Sequence, residues 1–247
     1  MADIWLHDIA SGATTQVTTN PEYDESPYWS PDSRMVVYQG YVDQQRALLL
    51  APVDASQRPR AVLRQQFYSV GPFTRDGKAV IVSSVGKNGD TDLTLVRLDR
   101  PDVREMLSTE PGVQSEPAIS PDGQWLAFTT DRSGRPEVVL ARLIDDGKAA
   151  QLGDQRLPVS TAGGSEPEWR RDGQEIVYLG LDRFLTAVPI TRVGGALTVG
   201  KPTRLFRLPI DAGGTSTWSR TSDHTKFVIV EAPNADGQTF RVMTGWK

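Results

Sequence analysis

The chain repeats itself five times, and a period of roughly 40–50 residues narrows the choice of fold more than any other property of a sequence. The repeating segments are SPYWSPDSRMVVY (Ser26 to Tyr38), VGPFTRDGKAVIV (Val70 to Val82), EPAISPDGQWLAF (Glu116 to Phe128), EPEWRRDGQEIVY (Glu166 to Tyr178) and WSRTSDHTKFVIV (Trp218 to Val230). Each runs from small or acidic residues through an apolar position to an Asp at a turn, then into an apolar strand. The Asp residues, Asp32, Asp76, Asp122, Asp172 and Asp223, lie 44, 46, 50 and 51 residues apart. No stretch sustains helical periodicity, so each unit is built of about four short strands. The fold class is therefore all-β: a β-propeller of four-stranded blades, with five Asp-turn repeats plus a partial blade. Residues 1–247 read as a single propeller domain, with the partial blade at 1–19 and repeats at about 20–65, 66–110, 111–161, 162–210 and 211–247.

Within a repeat, the strand after the Asp turn is the most apolar: Met35 to Tyr38, Ala79 to Ser83, Trp125 to Thr129, Glu175 to Tyr178 and Phe227 to Val230. Polar turns such as GKNGDT, DRSGRP and NADGQ follow, where Gly, Asn and Asp supply the backbone angles of tight hairpins. Third strands come next, for example Leu93 to Leu98 and Val138 to Leu143, then weaker fourth strands such as Val103 to Leu107. The residue three before the Asp is Trp29, Phe73, Ile119 and Trp169 in the first four repeats, an apolar position suited to packing between blades. The fifth has Arg220 there, with Trp218 two residues earlier, which predicts a shifted register or an unusual neighbour. At the beginning, DIWLHDI reads as a third strand and Thr14 to Thr18 as a fourth. The fifth repeat stops after its third strand. Either Thr14 to Thr18 closes the fifth blade, or the repeats belong to a larger ring, and open sheet edges would then invite pairing with another chain.

These residues resemble the Tol-Pal periplasmic protein and its relatives with Asp-turn propeller repeats, a TolB-like family. The opening DIWLHDIASGATTQVTTNPEYDESPYWSPDS, the run Val159 to Ile190 and the ending KFVIVEAPNADGQTFRVMTGWK are similar to the C-terminal propeller of acidobacterial-type serine/threonine protein kinases. That resemblance implies a parent ring of six blades, a kinase domain and membrane span upstream, and a periplasmic or extracytoplasmic location. The same propeller also follows DNA-binding response-regulator modules in related proteins. The chain itself carries no Gly-rich phosphate loop, His-Arg-Asp segment or Asp-Phe-Gly motif, so phosphoryl transfer is not read here.

Composition excludes several chemistries. The balance of 27 Lys+Arg against 31 Asp+Glu, without a basic run, argues against nucleic-acid binding. Zero Cys removes disulfides, thiolate metal sites and cysteine nucleophiles. The two His, His7 and His224, have no evident metal partner. No apolar run is long enough to cross a membrane as a helix, and no signal-like segment opens the chain. There is no Gly-x-Ser-x-Gly elbow. The run Asn88 to Asp92 places oxygen ligands at alternate positions like a calcium loop, but lacks the Gly at its sixth position and the distant Glu, so it reads as a hairpin turn. The five repeated Asp residues are structural turns, because Asp side chains accept local backbone N–H groups.

One constellation invites a functional reading. Glu116 and Glu166 stand six residues before their Asp, where the other repeats have Ser26, Val70 and Thr217, with Asp24 and Glu25 just upstream of Ser26. In a propeller these positions open the innermost strands, so Glu25, Ser26, Glu116 and Glu166 are expected at one mouth of the channel. The chain is thus read as a noncatalytic sensor or interaction module, without cofactor or metal. Its partner would be a protein, a peptide offering a basic group, or a small ligand. The alternative is a hydrolase or lyase acting in the channel.

Overall fold

The computed structural model describes residues 3–8, 11–64, 67–86, 89–194, 196–208, 218–221, 226–234 and 237–243. Among them there is no α-helix. A short pair comes first, β1 (Trp5–His7) and β2 (Thr14–Gln16), which among the described strands are hydrogen-bonded only to each other. The first full sheet has the order β3 (Glu25–Trp29), β4 (Met35–Val42), β5 (Gln45–Pro52) and β6 (Arg60–Arg64). The second runs β7 (Phe67–Phe73), β8 (Ala79–Val85), β9 (Thr91–Arg97) and β10 (Arg104–Met106). The third comprises β11 (Gln114–Ile119), β12 (Trp125–Thr130) and β13 (Glu137–Asp145), whose outer side pairs with both β14 (Ala150–Leu152) and β15 (Leu157–Pro158). The fourth repeats that scheme: β16 (Ser165–Trp169), β17 (Glu175–Leu179) and β18 (Phe184–Val193), with β19 (Ala196–Val199) and β20 (Thr203–Arg207) outside. Three described strands form the fifth, β21 (Trp218–Arg220), β22 (Phe227–Asn234) and β23 (Gly237–Met243). Splitting the fourth strand in two accounts for the strands beyond those read from the sequence.

By contact density the chain divides into two units, residues 1–119 with 143–153 and residues 120–142 with 154–247. In the first unit, alternation along the middle strands explains the packing. Val37, Leu48 and Leu50 face Phe67, Val70, Phe73, Val80 and Val82 of the second sheet. Val36, Tyr38, Leu49 and Ala51, one residue out of phase, face Ile4 and Val17 beside β1 and β2. A strand buried on both faces cannot alternate apolar with polar, which is why MVVY and AVIV read as continuous apolar runs. In the second unit, Val177, Leu185, Ala187 and Leu208 of the fourth sheet pack against Trp218, Phe227 and Ile229 of the fifth.

Two packing expectations need correction. Trp169 is buried at 6 % exposure, but Trp29, its counterpart in the first repeat, is 52 % exposed. Phe73 shows why: this position packs back onto the preceding sheet. The β1–β2 pair covers side chains of β4 and β5 and leaves β3 exposed along its whole length. Nor is the fifth sheet shifted. Trp169 pairs with Ile176 and Arg220 with Phe227, the same separation along the chain. Arg220 therefore occupies the true inter-sheet position, and its neighbours are what is unusual.

Candidate functional site

The four described Asp turns share one local design. Oδ1 of Asp32, Asp76 and Asp122 accepts a hydroxyl hydrogen bond from Ser30, Thr74 and Ser120, two residues upstream. It also accepts the N–H two residues downstream, at 3.1 Å from Arg34, Lys78 and Gln124. At Asp172 the Arg170 guanidinium replaces the hydroxyl, at 2.8 Å. Asp223 and His224 lie outside the described residues. Hydrogen bonds from Ser30, and then from the Arg34 N–H, hold the Asp32 carboxyl below the usual range. Partial burial works against ionisation of Asp122, but bonds from Arg192 and Ser120 outweigh it and lower that carboxyl to about 2. These carboxylates are spent on their own turns. His7 is also occupied, with Nδ1 3.0 Å from Thr14 Oγ1, and no group of three or more His, Asp or Glu among the described residues is arranged to hold a metal.

The bends that open the inner strands are different. Ser26, Glu116 and Glu166 all have left-handed backbones, with φ of 55°, 52° and 53°. Each precedes a proline, Pro27, Pro117 or Pro167. The register between β3 and β4 shifts across Glu25 to Tyr28, and that between β16 and β17 across Ser165 to Glu168. An added residue in one strand of a pair bends that strand and re-aims its side chains. Val70 also begins a register shift, without a positive φ. Thr217 is outside the described residues.

In the first unit, β7 lies against both β3 and β11. The approach is close enough that a Cβ on Gly71 would stand 2.6 Å from Pro117 Cγ and 2.7 Å from the Ile81 carbonyl oxygen, so only glycine fits beside the Glu116 bend. Glu25 and Ser26 are exposed, and Glu116 is half-buried. Glu25 Oε1 accepts the Gln39 side-chain amide in a short contact. Asp24 is buried, and that burial raises its carboxyl although Thr18 and Asn20 donate to it. Glu166, in the second unit, is half-buried at its own bend. The sequence places these residues at one structural position, and the backbone angles are the same at three of them.

Sequence reasoning passed over two residues. In the second unit Glu168 faces the Arg220 backbone N–H, 3.4 Å from Oε1. Burial raises the Glu168 carboxyl to about 7, despite the opposing Arg220 charge. The signal was Arg220 itself, since a cation at an apolar inter-sheet position calls for an acidic neighbour. The other is Asp92, inside the hairpin run, buried at 2 % exposure with Oδ1 accepting no hydrogen bond.

The family model described as the TolB beta propeller domain matches residues 4–193. The chain belongs to this family. Its TolB relatives include the protein TolB homolog of Chlorobium luteolum, 28 % identical over 141 residues, covering 57 % of this chain and 31 % of the relative. The Tol-Pal system protein TolB of Nitratidesulfovibrio vulgaris is 32 % identical over 138 residues, 53 % of this chain and 29 % of the relative. The matched chain thus spans less than a third of the length of these curated TolB proteins. Among solved structures, TolB from Acinetobacter baumannii superimposes with a TM-score of 0.72 at 17 % identity, over 97 % of this chain and 56 % of that one. An oligogalacturonate lyase in complex with manganese gives a TM-score of 0.62 at 13 % identity, over 100 % of this chain and 73 % of that one. At these identities the likeness establishes the propeller fold alone.

Proposed function

We propose that this chain is a noncatalytic interaction module, the sensor or binding part of a larger signalling protein, acting in a periplasmic or extracytoplasmic setting. The observation that carries the reading is the left-handed backbone shared by Ser26, Glu116 and Glu166. A non-glycine residue in that region costs about 1–3 kcal/mol, and such strain concentrates where side chains must be aimed. Glycine would relieve it, yet two of the three positions carry carboxylates. With Glu25 beside Ser26, they suit the ammonium or guanidinium group of a peptide partner, since charge-assisted hydrogen bonds reward that pairing. Exposed Tyr23 and Trp29, at 59 % and 52 %, add aromatic surface near Glu25 in the sequence, and aromatic faces also attract such cations. The name of the Nitratidesulfovibrio relative, a Tol-Pal system protein, supports a role in association.

The test is a Lys-containing peptide selected by display against the parent chain. Glu25→Gln and Glu116→Gln together should weaken it at least about tenfold, with thermal unfolding unchanged. Equal affinity in the double variant would overturn the proposal.

A second reading, a hydrolase or lyase, has one observation in its favour. Glu168 lies on an inner strand with its carboxyl near 7, the range that suits an acid–base group. Turnover of an oligogalacturonate, lost in Glu168→Gln, would establish it. Absence of turnover in the parent would remove it for that substrate.

A further inference from the structure

The third and second sheets begin their third strands with the same device, and one part differs. Glu137, which opens β13, has every side-chain oxygen matched. Arg135 Nε donates to Oε1 at 2.7 Å, the Gly163 N–H reaches both oxygens at 3.0 Å, and Ser160 Oγ donates to Oε2 in a short contact. Ser160 Oγ in turn accepts the Val138 N–H at 2.8 Å. In the second sheet Asp92 takes the place of Glu137. The next residue, Leu93, donates its N–H to Ser108 Oγ at 2.9 Å, as Val138 does to Ser160. Asp92 is one methylene shorter than glutamate, and Ser108 Oγ donates to Gln114 Oε1 at 3.4 Å rather than to a carboxylate.

The decisive change is two residues upstream. Where the third sheet has the cationic Arg135, the second has Asp90. A Cβ built on Gly86 would overlap Oδ2 of Asp92 and stand 2.6 Å from Oδ1 of Asp90, so both carboxylates converge on one point of the backbone. The other oxygen of Asp90 accepts the Gly112 N–H at 3.2 Å. Asp92 is buried at 2 % exposure, and its Oδ1 is without any hydrogen-bond partner. Burial of a carboxylate without a matching donor or cation is costly, and a second carboxylate beside it adds to that cost. A guanidinium answers the same problem in the third sheet.

We propose that Asp90 and Asp92 hold a hydrated divalent metal ion of the magnesium type, which supplies the positive charge that Arg135 supplies to Glu137. Two carboxylates suit such an ion, because magnesium keeps several waters and needs only one or two protein carboxylates. Calcium would ask for six to eight oxygen ligands, and the described residues offer no third acidic or His side chain at this place. Asp90 is half-buried and provides the open side, while Gly86, having no side chain, lets both carboxylates come close to the backbone.

The experiment uses the whole chain, with thermal unfolding followed first in EDTA, then in millimolar MgCl2, against NaCl of equal ionic strength. Magnesium should raise the midpoint saturably, by about 2–4 °C beyond the salt control. Asp90→Asn should remove that rise. Asp90→Arg, which recreates the third sheet's arrangement, should raise the midpoint in EDTA and abolish the response. Manganese, a paramagnetic substitute, should broaden the amide signals of Gly86, Asp90, Asp92 and Gly112 before others. No rise beyond the salt control, or a rise that persists in Asp90→Asn, would overturn the proposal. The Asp90 variants carry the test even if Asp92→Asn fails to fold.

Discussion

Arg220 donates through Nη2 to Glu175 Oε1 at 2.7 Å, linking the first strand of the fifth sheet to the second strand of the fourth. The guanidinium is only 3 % exposed and lies over the Phe227 ring, 5.1 Å from its centroid. A position that holds Trp169 one repeat earlier is filled here by an ion pair. Nε and Nη1 of Arg220 find no acceptor, so the pair is incompletely satisfied. Arg220→Ala should destabilise the chain by about 3–5 kcal/mol, because it leaves the acidic partners without their cation. Arg220→Met should cost less, as its side chain fills the same volume without charge. Urea unfolding of both variants measures the difference, and equal loss in the two would show that the lost charge, not packing, governs this contact.

Glu168 makes stability depend on pH in a direction opposite to that of most carboxylates. Its ordinary value of 4.5 is raised to about 7 in the folded chain, chiefly by burial. Between these values the folded form binds more protons than the unfolded one, so stability falls as pH rises through about 4.5 to 7 and then levels off. Glu168→Gln should flatten that slope. Unfolding curves at pH 5 and pH 8 compare the two chains, and an unchanged slope in the variant would assign the dependence to another group.

Two tryptophans at the same repeat position should respond unequally to removal. Trp169→Ala should cost about 3–5 kcal/mol, the range for deleting a buried aromatic side chain. Trp29→Ala should cost no more than about 1 kcal/mol, since the indole is already 52 % exposed. Thermal unfolding of the pair tests the register of the whole repeat, because similar losses would mean that Trp29 is covered in solution.

The sequence by itself determined the repeat unit and its local chemistry. Asp32, Asp76, Asp122 and Asp172 make their turns from groups within two residues of themselves, and interactions that short survive any larger arrangement. The all-β class, the order of strands within each sheet and the alternation of Val36 and Val37 between two faces were legible for the same reason, since they follow from a period of two along one strand. The candidate site was legible only as a repeated position. That Ser26 and Glu166 share a left-handed backbone goes with register shifts at both places, and register belongs to a pair of strands rather than to either alone. Tertiary structure alone decided the rest. Trp29 and Trp169 occupy the same place in their repeats, but burial is set by what the preceding sheet offers. Glu168 and Asp92 are ordinary carboxylates in the sequence. Their altered chemistry comes from lost water and from neighbours that folding brings to them, Arg220 from 52 residues along the chain and Gly86 across a hairpin.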